Sequence, residues 1–195
     1  MNIFYRLGDK LYVNITNKCS CDCVFCIRKN GDSVGDADTL WLEHEPSFSE
    51  VSAAFARERI DNIEEIVFCG YGEPMERAED VVLIAKFIKS KTTVPVRLNT
   101  NGLVKLINPD FDIARLNIFD SISVSLNADN AEDYQKLTRT VFGEKSFDSM
   151  LGFAQDARAY TNVAFTIVDT AGVDIDKCKE ISNKTSIPLR VRTLL

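Results

Sequence analysis

Asp120-Ser121-Ile122-Ser123-Val124-Ser125-Leu126-Asn127 alternates between polar and apolar side chains. Side chains two apart on a strand share a face, so Ile122, Val124 and Leu126 form one side. Ser123, Ser125 and Asn127 form the other. A parallel strand covered on both faces reads as a continuous apolar run, and this one does not. Two further segments repeat the pattern. Val94–Thr100 sets Arg97, Asn99 and Asn101 opposite Val96 and Leu98, and Pro188–Thr193 sets Arg190 and Arg192 opposite Leu189 and Val191. One face of each strand packs on helices, and the other lines a ligand cavity.

Working outward, strand-like and helix-like segments alternate along the whole chain. Strands are expected over Leu11–Thr16, Ile63–Cys69, Val94–Thr100, Asp120–Asn127, Asn162–Val168 and Pro188–Thr193. Between them lie helices: one opened by Ser47 with Glu50 as its capping-box partner, others over Arg77–Ser90, Asp110–Leu116 and Phe147–Ala159, and two capped by Asn130 and Asp174. Regular alternation implies an α/β chain with a parallel sheet. An open doubly wound sheet also satisfies it, but polar faces on three strands select a curved sheet: a partial (β/α)6 TIM-like barrel with outer helices. In such barrels chemistry gathers at the C-terminal strand ends.

Length and composition agree with one domain spanning residues 1–195. The chain has 195 residues, 45% of them apolar, enough for a core. A net charge of −6 disfavours a broad nucleic-acid surface while leaving room for a local basic patch at Arg28, Lys29, Arg190 and Arg192. No apolar run reaches the ~18 residues of a membrane span, and the N-terminus lacks a signal-peptide pattern. A cytoplasmic location is expected, where clustered cysteines more often bind metal than form disulfides.

Four of the six cysteines fall in Asn17-Lys18-Cys19-Ser20-Cys21-Asp22-Cys23-Val24-Phe25-Cys26. Cys19, Cys23 and Cys26 have the spacing C-x3-C-x2-C. Three thiolates on one loop can hold three irons of a 4Fe–4S cluster and leave the fourth iron open. Structural zinc is the competing reading, but zinc takes four ligands, often as two C-x2-C pairs. The only distant candidates are Cys69, Cys178 and His44. Cys21 is expected to point away, and Cys69 and Cys178 to be core thiols.

This run, placed after a first strand, resembles the radical S-adenosylmethionine (SAM) superfamily. Val67-Phe68-Cys69-Gly70-Tyr71-Gly72-Glu73-Pro74 looks like its Gly-Glu-Pro segment, where backbone and Glu groups hold the methionine amino group. Leu98-Asn99-Thr100-Asn101-Gly102 looks like its third-strand segment. Ser125 and Asn127 lie where fourth-strand polar residues hold the ribose or carboxylate. The resemblance implies a 4Fe–4S cluster on Cys19, Cys23 and Cys26. It implies SAM held by Gly70, Tyr71, Gly72, Glu73, Asn99, Asn101, Ser125 and Asn127. It also implies an electron donor such as flavodoxin or ferredoxin. The cluster would cleave SAM to a 5′-deoxyadenosyl radical, with no protein nucleophile or catalytic side chain required. The runs Val13–Cys19, Phe68–Pro74 and Leu189–Arg192 look most like the small TatD-associated radical SAM proteins, whose family name implies linkage to a TatD-like protein.

Six units leave a barrel wall open on one side, the expected entry for a large substrate such as peptide or RNA; a small substrate with a partner protein covering the gap is the alternative. The polar loop Ile27–Pro46, with Trp41, Glu43 and His44, is expected to face it. Two other readings stand beside a substrate-modifying enzyme: an activase that places a glycyl radical on a partner, and a non-enzymatic iron–sulfur or zinc module.

Overall fold

The computed structural model describes residues 1–29, 34–170 and 172–193. Seven strands lie side by side in sequence order: β1 (Phe4–Leu7), β2 (Lys10–Val13), β3 (Glu65–Phe68), β4 (Val96–Thr100), β5 (Ser121–Ser125), β6 (Asn162–Asp169) and β7 (Leu189–Thr193). All neighbours from β2 to β7 are parallel. Six helices connect or flank them: α1 (Phe48–Phe55), α2 (Ala78–Lys91), α3 (Val104–Ile107), α4 (Ala131–Thr138), α5 (Lys145–Ala157) and α6 (Ile175–Thr185). The expected six parallel strands and helical layer are therefore present. β1 and β7 are the sheet edges and do not pair with each other.

The outer sheet face supplies the core. Leu11, Val13, Ile66, Phe68, Val96, Leu98, Ile122 and Val124 are buried, packed with Ile84 and Ile88 of α2 and Met150 and Phe153 of α5. Each such side chain contributes on the order of 2 kcal/mol through area removed from water. Ser47 caps α1 through the capping box with Glu50. Asn130 and Asp174 cap α4 and α6 as expected.

Three features depart from the sequence reading. First, β1 is an additional strand, antiparallel to β2. Its short Phe4-Tyr5-Arg6-Leu7 run carries no alternation, and Gly8, at φ +64°, makes the two-residue turn. Second, β2 ends at Val13 rather than Thr16 because the next three residues anchor loops instead. Asn14 Nδ2 donates to the Asn2 and Leu40 carbonyls, Arg77 donates to the Ile15 carbonyl, and Thr16 Oγ1 donates to Glu45. Third, the expected helix at Asp110–Leu116 is a 3-10 turn over Ile113–Ile118, and α3 was not foreseen. Among the described residues no helix is long and apolar enough to cross a membrane.

Candidate cofactor site

A cavity of about 720 Å³ opens inside the sheet, lined from the loops after β2, β3, β4 and β5. These are the C-terminal ends of consecutive parallel strands, where a barrel concentrates its variable side chains. The cysteine loop, Gly70, Gly72, Glu73, Asn99, Asn101, Ser125 and Asn127 all reach it. Tyr71 is buried beside it, its ring 5.0 Å from that of Trp41.

Glu73 organises this rim. Its side chain is 6% exposed. Oε1 accepts from Thr100 Oγ1 at 2.7 Å and from the Met75 amide at 3.0 Å, and Oε2 accepts from the Asn101 amide at 2.7 Å. One carboxylate thus ties the loop after β3 to the loop after β4. Its own amide donates to the Lys18 carbonyl, which adds the cysteine loop. Burial pushes the Glu73 carboxyl up to about 7, against the pull of the three donors.

The two glycines permit close approach rather than unusual backbone angles. A Cβ on Gly72 would stand 2.3 Å from the Thr16 carbonyl oxygen and 2.6 Å from that of Lys18; on Gly70 it would strike the Asn14 side chain. Gly72→Ala is therefore expected to push the two loops apart and cost about 1–3 kcal/mol. Chemical denaturation checks this, and an unchanged midpoint would refute the close-packing role.

The cysteine loop is held by backbone bonds that sequence reasoning did not find. The Asp22 and Val24 amides donate to the Thr138 and Leu137 carbonyls, and the Val141 amide donates to the Ser20 carbonyl. Arg139, at φ +48°, ends α4 and shapes this support. Asn17 exchanges two bonds with Leu42, and Arg28 Nε donates to the Cys26 sulfur at 3.4 Å. All six cysteines are free thiols.

The Cys19, Cys21 and Cys23 thiols lie close enough to influence one another. The neighbouring Cys21 thiol, and then burial, hold the Cys19 thiol far above its ordinary range. Cys21 thus faces the other thiols, with Asn101 Nδ2 3.7 Å from its sulfur, and does not point away. Burial and its short side chain turn it inward. Cys69 also departs from expectation: it lines the cavity with Asn99, whereas Cys178 is in the core.

The donor set fits an iron–sulfur cluster. Four thiols of one loop, the three of the C-x3-C-x2-C set and Cys21, line one cavity, and near them lie two buried hydroxyls, Ser20 Oγ and Tyr134 OH, with no hydrogen-bond partner among the described residues. A buried hydroxyl left unpaired is costly, and cluster sulfides accept such bonds. Among the described residues no three Cys, His, Asp or Glu side chains already stand in metal-binding geometry. His44 is outside this arrangement: its Nε2 lies 2.8 Å from Glu50 at the α1 cap. Trp41, Glu43 and His44 do not line the cavity; of the long loop, Ile27 and Val34 do. Residues 30–33 of that loop lie outside the described residues.

Comparison with known proteins follows this geometry. The family model described as "Radical SAM superfamily" matches residues 13–183. A probable GTP 3′,8-cyclase from Methanocaldococcus jannaschii is 33% identical over 142 residues, 72% of this chain and 43% of the relative. A probable dual-specificity RNA methyltransferase, RlmN, from Clostridium acetobutylicum is 22% identical over 185 residues, 92% of this chain and 51% of the relative. The chain spans about half or less of the length of these curated relatives. Streptococcus suis SuiB bound to S-adenosylmethionine superposes with a TM-score of 0.68 at 14% identity, covering 94% of this chain and 40% of SuiB, a likeness of fold.

Proposed function

The chain belongs to the radical SAM superfamily, and on that premise we propose that it is an enzyme whose Cys19, Cys23 and Cys26 hold a 4Fe–4S cluster. A 4Fe–4S cluster and SAM are the cofactors of this superfamily, and bound together they supply a 5′-deoxyadenosyl radical for hydrogen abstraction. The supporting observation is the shared cavity: four consecutive strand-end loops meet there, the first three tied together by Glu73.

Each residue has a physical task in this reading. The backbone at Gly70–Gly72 and the Glu73 carboxylate present acceptors to the cofactor's ammonium, and a cation beside Glu73 offsets the burial that raises its pKa. Asn99, Asn101 and Ser125 offer neutral hydrogen-bonding groups along the cavity wall. Asn127 is buried at φ +58°, in the left-handed region that Asn tolerates better than most residues, and so reaches the cavity from the end of β5. Half-buried Phe25 lines the same wall and excludes water beside Cys26.

Residues 1–195 form one core domain in this proposal, served in the cytoplasm by a flavodoxin- or ferredoxin-type donor. The TatD-associated resemblance supports a TatD-like partner. The relatives' names denote GTP and RNA as what those proteins act on. This favours a nucleotide or nucleic-acid component as the substrate here, admitted between β1 and β7.

Anaerobic reconstitution with iron and sulfide, followed by SAM and dithionite, tests the reading. We expect 5′-deoxyadenosine by mass spectrometry. If neither it nor another SAM cleavage product forms in a cluster-loaded sample, the enzyme reading fails and a non-enzymatic module replaces it.

A further inference from the structure

The cavity is charged unevenly. Apart from thiols and tyrosines, its ionisable lining is Lys10, Glu65, Glu73, Arg97, Arg190 and Arg192. Glu65 pairs with Arg97 at 2.8 Å, and Arg97 also donates to Asn99 and Ser123. Both oxygens of Glu73 are engaged as described above. Lys10, Arg190 and Arg192 make none of the ion pairs found among the described residues. Three cations with no ion-pair partner among the described residues line one cavity in a chain of net charge −6.

Their placement is directional. Arg190 and Arg192 alternate on β7, so they share its inner face, in register with Thr166 and Val168 of β6, which also line the cavity. The Arg192 charge reaches across the space: burial raises the proton affinity of Tyr12 and Cys69, and Arg192 opposes it at both. Two like charges about 7 Å apart on one strand face, with no ion-pair partner among the described residues, carry a standing repulsion. Both side chains are exposed on the edge strand β7 and line the open side of the cavity, where they place a positive field over its mouth.

SAM does not remove this imbalance. SAM carries a carboxylate, an ammonium and a sulfonium, and so brings a net positive charge. A guanidinium pair instead matches the several charged oxygens of a phosphate group. We propose that Arg190 and Arg192 form a phosphate subsite for the substrate, which is therefore a phosphorylated small molecule or a phosphodiester chain. The word substrate rests on the enzyme reading above; the anion site itself does not.

Calorimetric titration of the full chain at low ionic strength tests it, with inorganic pyrophosphate as the free polyphosphate and a single-stranded RNA oligonucleotide as the phosphodiester. Both titrations are run with and without cluster and SAM. We expect saturable binding of at least one probe, at least tenfold weaker in the Arg190→Ala/Arg192→Ala variant. A Lys179→Ala/Lys184→Ala control on α6 should leave it unchanged. Tighter binding of pyrophosphate assigns a small phosphorylated substrate, and tighter binding of RNA a phosphodiester one. The proposal is overturned if neither probe saturates the wild type, if the arginine variant binds as the wild type does, or if the arginine variant loses SAM affinity in parallel. Because titration without cofactors reads the subsite alone, its failure is distinct from a failure to cleave SAM.

Discussion

Alanine at Cys26 is expected to abolish cluster loading: iron content after anaerobic reconstitution should fall to background, with the visible absorption band lost and SAM cleavage down by at least about 100-fold. Cys19→Ala and Cys23→Ala should behave alike, because two thiolates cannot hold three irons of a cluster. Cys21→Ala makes the sharper comparison. Cys21 lies between Cys19 and Cys23, and its thiol is pushed up to about 12, the Cys19 thiol lowering it while the Cys23 thiol and burial raise it. If the C-x3-C-x2-C set is complete without it, Cys21→Ala keeps full iron and loses only packing, about 1 kcal/mol. Background iron in Cys21→Ala together with full iron in Cys19→Ala would replace the proposed ligand set.

The contrast between Cys19 and Cys21 marks where sequence reading reaches its limit. Spacing singled out three thiols because covalent geometry limits what a short loop can present together. It misled on Cys21, which a complete C-x3-C-x2-C set leads one to expect pointing away, since its direction depends on Asn101 eighty residues on. The strand alternation at Ser121–Ser125, Val96–Thr100 and Leu189–Thr193 was legible because a half-buried strand must alternate. β1 was not legible, because a four-residue edge strand needs only a partner and a turn. Cys69 reads as an apolar strand residue, but β3 ends at Phe68, and the next side chain turns into the cavity. The support of the cysteine loop by Leu137, Thr138 and Val141 is made by backbone groups, which carry no residue-type signal. His44 had the chemistry of a ligand, and its pairing with Glu50 arises only once α1 is capped.

Glu73→Gln should change both stability and its pH dependence. The side chain keeps its volume, but one oxygen becomes an amide nitrogen. Whichever way the amide turns, a donor then faces either the Asn101 amide or the Thr100 hydroxyl and Met75 amide. A buried donor left unpaired costs roughly 1–3 kcal/mol, and the tie between the loops after β3 and β4 is lost, so SAM affinity should fall at least about tenfold. The pH effect has a definite sign. Burial raises the folded-state value from 4.5 to about 7. The folded protein therefore binds more protons than the unfolded chain between those values, and this contribution is complete below about 4.5 and disappears as pH rises through 7. The interval corresponds to roughly 3 kcal/mol. Other carboxyls, such as Asp120 and Asp133, are held low and contribute the opposite slope at acid pH, so the informative quantity is the difference between wild type and variant. Urea denaturation at pH 5 and pH 7.5 should show a gap that narrows as pH rises, the wild type losing stability that the glutamine variant never had. A gap that is constant across this range would mean that Glu73 titrates at or below its ordinary value, its three donors offsetting burial or outweighing it.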